Sequence, residues 1–235
     1  MKKIKTLFVI DRNTDMATNV VNEGCEWVSN GEGVATIKFD GTSCWVNDGK
    51  LYKRFDRKLK KSFSKMARNL GDKFIPEDHM FNDLPEGAIP CEEKPAAHSL
   101  HFPHWVEVGE GPEDAYHREG FANSTGLING KTYELVGPKL SGNPYNLEKH
   151  ELWEHGNTVI EVPDRTYEGM KALMESMENE EGVVFHHPDG RMCKVRRKDY
   201  NLPTFGKFDM RSKKNWLWYS DTNKEASASF FINFL

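Results

Sequence analysis

The chain lacks any run of eighteen apolar residues, so no segment reads as a membrane-spanning helix. Its basic start, Met1-Lys2-Lys3-Ile4-Lys5, leads only into the short apolar stretch Leu7 to Ile10. That stretch is too short for a signal peptide and has no small-residue cleavage site, so it reads as a first strand. Cysteine is scarce: Cys25, Cys44, Cys91 and Cys193 are far apart, which excludes a zinc knuckle and a Cys-x-x-Cys redox pair. Free thiols in a reducing, cytoplasmic compartment are expected. Excess positive charge is also missing. A formal net charge of −4 excludes a surface that binds nucleic acid throughout, although a local basic groove suffices for phosphate contacts. There is no internal repeat and no low-complexity tract.

What is present is enough to fold. The 235 residues are 37% hydrophobic and 11% aromatic, and the 29% of charged residues fits a well-solvated surface. Short β-like runs cover Val34 to Phe39, Cys44 to Val46 and Leu51 to Phe55, with Asn47-Asp48-Gly49 as a hairpin turn. Strand signals return at Thr132 to Val136, Thr158 to Val162, Gly182 to His186 and Met192 to Arg196. Helices are expected at Leu59 to Leu70, ending on Gly71, and at Thr166 to Glu178, where Tyr167, Met170, Leu173, Met174 and Met177 share a face. Ser229 to Leu235 reads as a strand or a docked tail. The expected class is α+β, built mainly on antiparallel sheets, as a single domain over 1–235 with an irregular insertion at about 58–130.

The chemistry centres on Lys38-Phe39-Asp40-Gly41, at the end of the strand Val34-Ala35-Thr36-Ile37. A lysine amine is nucleophilic only when deprotonated, and its ordinary pKa is about 10.4. A site that uses it covalently must lower that value by burial or by neighbouring cations. Asp40 follows two residues on, the spacing that returns to one side of a strand, and Gly41 permits a tight turn or close approach to a ligand. In isolation, such a tetrapeptide has the ordinary reading of a charged hairpin. Further along the chain, other charges sit in or beside apolar strands: Lys53-Arg54-Phe55-Asp56, Tyr133-Glu134-Leu135-Val136-Gly137, Glu180-Glu181-Gly182-Val183-Val184 and Cys193-Lys194-Val195-Arg196. Buried charge is costly unless it is paired or meets a ligand, so this ordered set points to a pocket.

That order resembles the covalent nucleotidyl transferase superfamily of DNA ligases, RNA ligases and capping enzymes, over residues 34 to 196. Lys38-Phe39-Asp40-Gly41 looks like motif I, Arg54 falls at motif Ia, and Tyr133 to Gly137 looks like motif III. Glu181-Gly182-Val183-Val184 looks like motif IV and Lys194-Val195-Arg196 like motif V, with Arg where many RNA ligases have Lys. His104-Trp105-Val106-Glu107-Val108, Asp114 to Glu119, Tyr133 to Lys139 and Gly142-Asn143-Pro144 narrow the likeness to small single-domain 5′-3′ RNA ligases of phages, bacteria and animals.

The resemblance implies a nucleotidyl transferase (adenylation) domain without an OB domain, and a monomer acting in the cytoplasm, the host's if the gene is phage-borne. It implies ATP as cosubstrate, a covalent lysyl-AMP on Lys38, an adenylylated RNA 5′ end, and sealing of 5′-phosphate to 3′-OH ends. Arg54 is implied to contact the ribose or the RNA 5′-phosphate, Glu134 the ribose hydroxyls, and Lys194 and Arg196 the α-phosphate. Asp40 and Gly41 are implied to shape the nucleotide site, and Glu181 to hold Mg²⁺ or Mn²⁺ directly or through water. Arg197 competes with Arg196 for the pocket, and strand alternation favours Arg196. DNA ligase or capping guanylyltransferase is the alternative. Only about 39 residues follow Arg196, too few for their usual OB-type domain.

Weaker signals surround this set. His98, His101 and His104 recur every three residues, but no cysteine pair accompanies them and Pro103 interrupts any helix, so a solvated or RNA-facing loop is expected rather than zinc. Lys58, Lys60 and Lys61 lie in the densest basic run, directly after Arg54, and are candidates for RNA phosphate. Trp105, His117 and Arg118 are candidates for an RNA-end surface. Phe39, Tyr133 and Phe185 are the candidate adenine-stacking rings, with alternation turning Phe39 away from Lys38.

Overall fold

A computed structural model describes residues 3–95 and 100–203. His98 and Ser229 to Leu235 lie outside the described residues. In chain order the strands are β1 (Lys5–Thr6), β2 (Phe8–Ile10), β3 (Ala17–Val21), β4 (Val34–Lys38), β5 (Thr42–Asn47), β6 (Lys50–Lys58), β7 (Ile89–Pro90), β8 (His101–Glu107), β9 (Thr132–Val136), β10 (Glu151–Glu154), β11 (Val159–Ile160), β12 (Gly182–His186) and β13 (Met192–Arg196). The helices are α1 (Glu26–Ser29), α2 (Lys61–Leu70), α3 (Ala115–Asn123) and α4 (Tyr167–Ser176).

The strands make two large sheets and a small ribbon. A five-stranded sheet runs β1-β13-β12-β4-β11 and a six-stranded sheet runs β10-β9-β5-β6-β8-β7, while β2 pairs with β3. All pairings are antiparallel except β1 with β13. The class is therefore α+β on mainly antiparallel sheets. No OB barrel stands among the described residues, and none of their helices is long and apolar enough to cross a membrane.

Alternation gives the five-stranded sheet a dry face and a more polar one. On the five-stranded sheet, Ala35, Val183, Phe185, Cys193 and Val195 enter a core with Met170 and Met174 of α4 and Val28 of α1. The opposite face carries Thr36, Lys38, Val184, Lys194 and Arg196. On the six-stranded sheet, Cys44, Leu51, Tyr133 and Leu135 pack beneath α3, joined by Phe121. Gly120 makes that packing possible, because a Cβ there would stand 2.2 Å from the Leu135 side chain. A third cluster, Leu59, Ala67, Phe74, Phe81 and Phe102, seats α2. Thr166 caps α4 by accepting from Gly169 N–H at 3.2 Å.

Three expectations need correction. The stretch 58–130, expected to be irregular apart from a helix at Leu59 to Leu70, has that helix as α2 and also contains β8 and α3. The stretch around His101 and His104, expected to be a solvated or RNA-facing loop, is strand β8, with Pro103 inside it beside β7, a neighbour of only two residues. α3 escaped notice because it has Gly at its centre and a weak apolar stripe. The four cysteines are not all free: Cys25 and Cys193 form a disulfide with Cα atoms 6.2 Å apart, while Cys44 and Cys91 remain thiols. Their separation of 168 residues hid the pair from any spacing rule. The start of α1 meets β13 only in the folded chain.

Candidate active site

Lys38 ends β4, and the chain crosses from one large sheet to the other through Phe39, Asp40 and Gly41 alone. The lysine therefore stands at the hinge of the cleft between the sheets. Its Nζ donates to Glu181 Oε2 at 2.5 Å, with both side chains about one-fifth exposed. Glu181 N–H in turn donates to the Lys38 carbonyl at 3.2 Å. Gly182 faces Lys38 in the next strand, at φ +155°, and a Cβ there would lie 2.0 Å from the Val195 carbonyl oxygen. Glycine is what lets β12 approach β13 so closely behind the carboxylate.

Lys194 projects from the next strand onto the same face. Burial, then the neighbouring charges of Arg196 and Lys38, lower its pKa to about 7; Glu181 and Asp199 oppose the fall. Arg196 shares this face and is clamped by Asp199 through Nε (3.2 Å) and Nη2 (2.8 Å). Arg197 turns the other way, where its buried guanidinium donates to the carbonyls of Met174, Met177 and Pro203.

The six-stranded sheet closes the other side. Glu134 Oε1 accepts from Gly41 N–H at 3.0 Å, and its Oε2 accepts from His155 Nε2 at 2.8 Å. A Cβ on Gly41 would fall 2.1 Å from the Leu135 carbonyl oxygen, so the motif glycine is required by the contact that seats Glu134. His155 Nδ1 lies 3.0 Å from Thr132 Oγ1. Nothing in the local sequence marks His155, because its role rests on β9 and β10 being neighbours. Across the cleft His186 Nε2 is 2.9 Å from Thr36 Oγ1, and burial with the His155 charge lowers its pKa.

Other candidates fall elsewhere. Asp40 is turned from the cleft. The strand ends at Lys38, so alternation no longer applies, and the buried Asp40 carboxylate accepts from Ser141 Oγ at 2.8 Å. Arg54 lies on the same sheet face as Glu134, because Cys44, the residue that pairs with its neighbour Lys53, also pairs with Tyr133; it is ion-paired to Asp56 at 2.9 Å. Lys58 and Lys61 are exposed at the end of β6 and the start of α2, and Lys60 Nζ donates to the His79 carbonyl. His117 and Arg118 are on α3, against the sheet's outer face. His117 is pressed toward Asp114 at 3.8 Å, and Arg118 donates to the carbonyls of Gly109 and Gly111. The structure does not bring these two into the cleft with Lys38.

The aromatic candidates redistribute as well. Phe185 and Tyr133 are buried in separate cores, and Tyr133 Oη accepts from Ile128 N–H. Phe39 packs edge-on against Trp153 at 4.9 Å. Trp153, opposite Glu134 on β10, is the cleft-side ring that sequence reading missed. A cavity of about 550 Å³ opens beside Phe39, Trp153, Asn157 and Thr158, and Lys38 does not line it. His101 and His104 point to opposite sides of β8; His104 Nδ1 pairs with the Phe102 carbonyl, and no cluster of three metal-capable side chains exists among the described residues.

One lysine nucleophile candidate, one carboxylate touching it and two further cations on the same strand face suit chemistry at a phosphorus centre. No family model matches the chain. The chain is 29% identical to RNA ligase 1 of Mus musculus, in an alignment that covers 72% of this chain and 67% of the mouse protein. The like-named proteins of Rattus norvegicus and Pongo abelii are 28% and 27% identical with the same coverage. These distant likenesses, with the α+β fold, support an RNA ligase family for the chain.

Proposed function

We propose that the chain is an ATP-dependent RNA ligase in which Lys38 Nζ attacks the α-phosphorus of ATP. The observation that carries this reading is the junction at Lys38: the amine meets Glu181, Lys194 and Arg196 share its face, and Glu134 seats the following turn. In the attack, Nζ gives its proton to Glu181, the group hydrogen-bonded to it, and so to solvent. The N–P bond forms, the bond from the α-phosphorus to the bridging oxygen breaks, and pyrophosphate leaves with the electron pair. AMP then passes from Lys38 to the RNA 5′-phosphate, and the RNA 3′-OH displaces AMP to seal the ends. Each is an in-line displacement, so positioning and charge neutralisation dominate.

Lys194 and Arg196 would meet the α-phosphate, Glu134 the ribose hydroxyls and Arg54 the ribose or the RNA 5′-phosphate. A Mg²⁺ or Mn²⁺ ion fits the hard oxygen of Glu181. With no three-ligand cage among the described residues, the ion would share that carboxylate with phosphate oxygens and water. When bound it would neutralise phosphate charge. Lys58 and Lys61, with Lys60, would track the RNA backbone.

The test is incubation with labelled ATP or GTP and a divalent metal, followed by 5′-phosphorylated RNA or DNA strands. Covalent label from ATP and sealing of RNA support the reading. No label from either nucleotide overturns it, label from GTP points to a capping-type transferase, and sealing of DNA alone points to a DNA ligase. A Lys58→Ala/Lys60→Ala/Lys61→Ala variant is expected to bind RNA roughly tenfold more weakly at 0.1 M salt, with a shallower dependence of affinity on salt. An unchanged salt slope in a filter-binding titration would remove these lysines from the RNA path.

A further inference from the structure

Asp40, in the link between the two sheets, is held by the loop that follows β9. Ser141 Oγ donates to its carboxylate, and its N–H donates to Tyr145 Oη at 2.7 Å. The same phenol donates to Glu180 Oε2 at 3.3 Å, next in sequence to the carboxylate that touches Lys38. The Tyr145 ring packs on Trp153 (4.7 Å) and edge-on to Phe39 (6.1 Å). Burial raises the Tyr145 pKa far above neutrality, so the phenol stays a donor, and burial also raises that of Glu180.

The loop is wound to deliver this contact. Ser141, Asn143 and Asn146 all adopt positive φ, near 50°, and Asn143 closes on Leu147 through both its side-chain amide oxygen (2.9 Å) and nitrogen (3.0 Å). Left-handed conformations at three non-glycine residues are costly, and a loop that pays for them is being held to one shape. That shape puts one hydroxyl between the link carrying Lys38 and the segment carrying Glu181, which are 143 residues apart in the chain.

We infer that Tyr145 is a positioning residue for the attack of Lys38, its hydroxyl bridging the Asp40 N–H and Glu180 so that amine and carboxylate keep their register. The inference rests on the proposed lysyl-AMP chemistry. Lys38 forms a bond to phosphorus in the first step and breaks it in the second. In the third, sealing an RNA already adenylylated at its 5′ end, it makes and breaks none. A residue that aims Lys38 should therefore affect the first two steps and spare the third.

The experiment compares wild type, Tyr145→Phe, Glu180→Leu and Glu180→Gln for the rate of covalent labelling from ATP, for sealing of pre-adenylylated RNA, and for Tm. Tyr145→Phe keeps the ring and its packing. It is expected to label at least tenfold more slowly at saturating ATP, with KM within about threefold, sealing of pre-adenylylated RNA within about threefold, and Tm within a few degrees. Glu180→Leu should share the labelling defect, and Glu180→Gln, which still offers an oxygen acceptor, should be rescued. Wild-type labelling by Tyr145→Phe overturns the inference alone, as does an equal loss in labelling and sealing with a fallen Tm. If wild type takes no label, the lysyl-AMP reading fails and the inference fails with it.

Discussion

Lys38→Ala is expected to abolish covalent labelling from ATP, by a factor on the order of 10⁴ or more, because no other nucleophile occupies the position. Charge and nucleophilicity separate in Lys38→Arg. A guanidinium can still pair with Glu181, but it does not deprotonate to attack. Both variants should leave the five-stranded sheet intact, since the lysine side chain lies on the polar face and takes no part in the core beneath α4. The measurement is autoradiography of denatured protein after incubation with α-labelled ATP, together with a thermal melt. Retained label in Lys38→Ala would move the covalent centre to another residue and remove the main reason for reading Glu181 and Lys194 as its neighbours in function.

Lys194→Met is expected to move stability and activity in opposite directions. The pKa of Lys194 falls from 10.5 to about 7 on folding. Below pH 7 the residue is charged in both states, and the full cost of burying that charge near Arg196 and Lys38 bears on the folded protein. Between pH 7 and about 10.5 the unfolded chain holds the proton and the folded chain does not, so stability rises with pH across that window. Methionine fills similar volume without the charge. The variant should therefore be more stable at pH 6, on the order of a few kcal/mol, visible as a Tm higher by roughly 5 °C. The advantage should shrink as the pH approaches 10. Labelling from ATP should fall by about 100-fold, since a cation aimed at the phosphate is gone. A Tm difference that stays constant from pH 6 to 10 would refute the titration, and unchanged labelling would refute the phosphate role. Such a trade is expected wherever a binding site is built from charges that the empty protein has difficulty accommodating.

Much of the scaffold was legible because its signals are local. β4, β9, β12 and β13 each showed as a short run of strand-forming residues, and counting in twos put Arg196 rather than Arg197 on the face of Lys194, though it failed for Asp40, which lies past the end of β4. Apolar spacing over Tyr167 to Met177 marked α4 in the same way. The strand at His101–Glu107 was read as a loop, because its histidines were weighed only against a helix or a zinc site, and α3 was hidden by a glycine that admits Leu135 from another element. His155, Trp153 and Tyr145 had no local mark. Each gained a role from a pairing between strands or from a loop reaching back to Asp40. For the same reason His117 and Arg118 looked close to Trp105 in sequence, yet α3 lies on the outer face while Trp105, next to Arg54 in the register, points to the other. The disulfide shows the limit most plainly, since the fold brings together cysteines that no spacing relates.

The link from β4 to β5 through Phe39, Asp40 and Gly41 also bears on when the protein becomes competent during synthesis. By the time this link has emerged from a ribosome, the strands that flank β4 in the finished sheet, β11 and β12, have not been made, and β13 comes later still. The six-stranded sheet can close once β10 has emerged, around residue 154. The lysine then waits without its carboxylate until residue 181, and without its flanking cations until residue 196. Pairings this distant in sequence form slowly, because a long loop must close before any contact rewards it. A nascent or prematurely terminated chain therefore carries its lysine without the groups that give it an environment. On the proposed chemistry, reactivity would arrive in one late event, as the last strands enter the sheet, rather than growing as the chain lengthens.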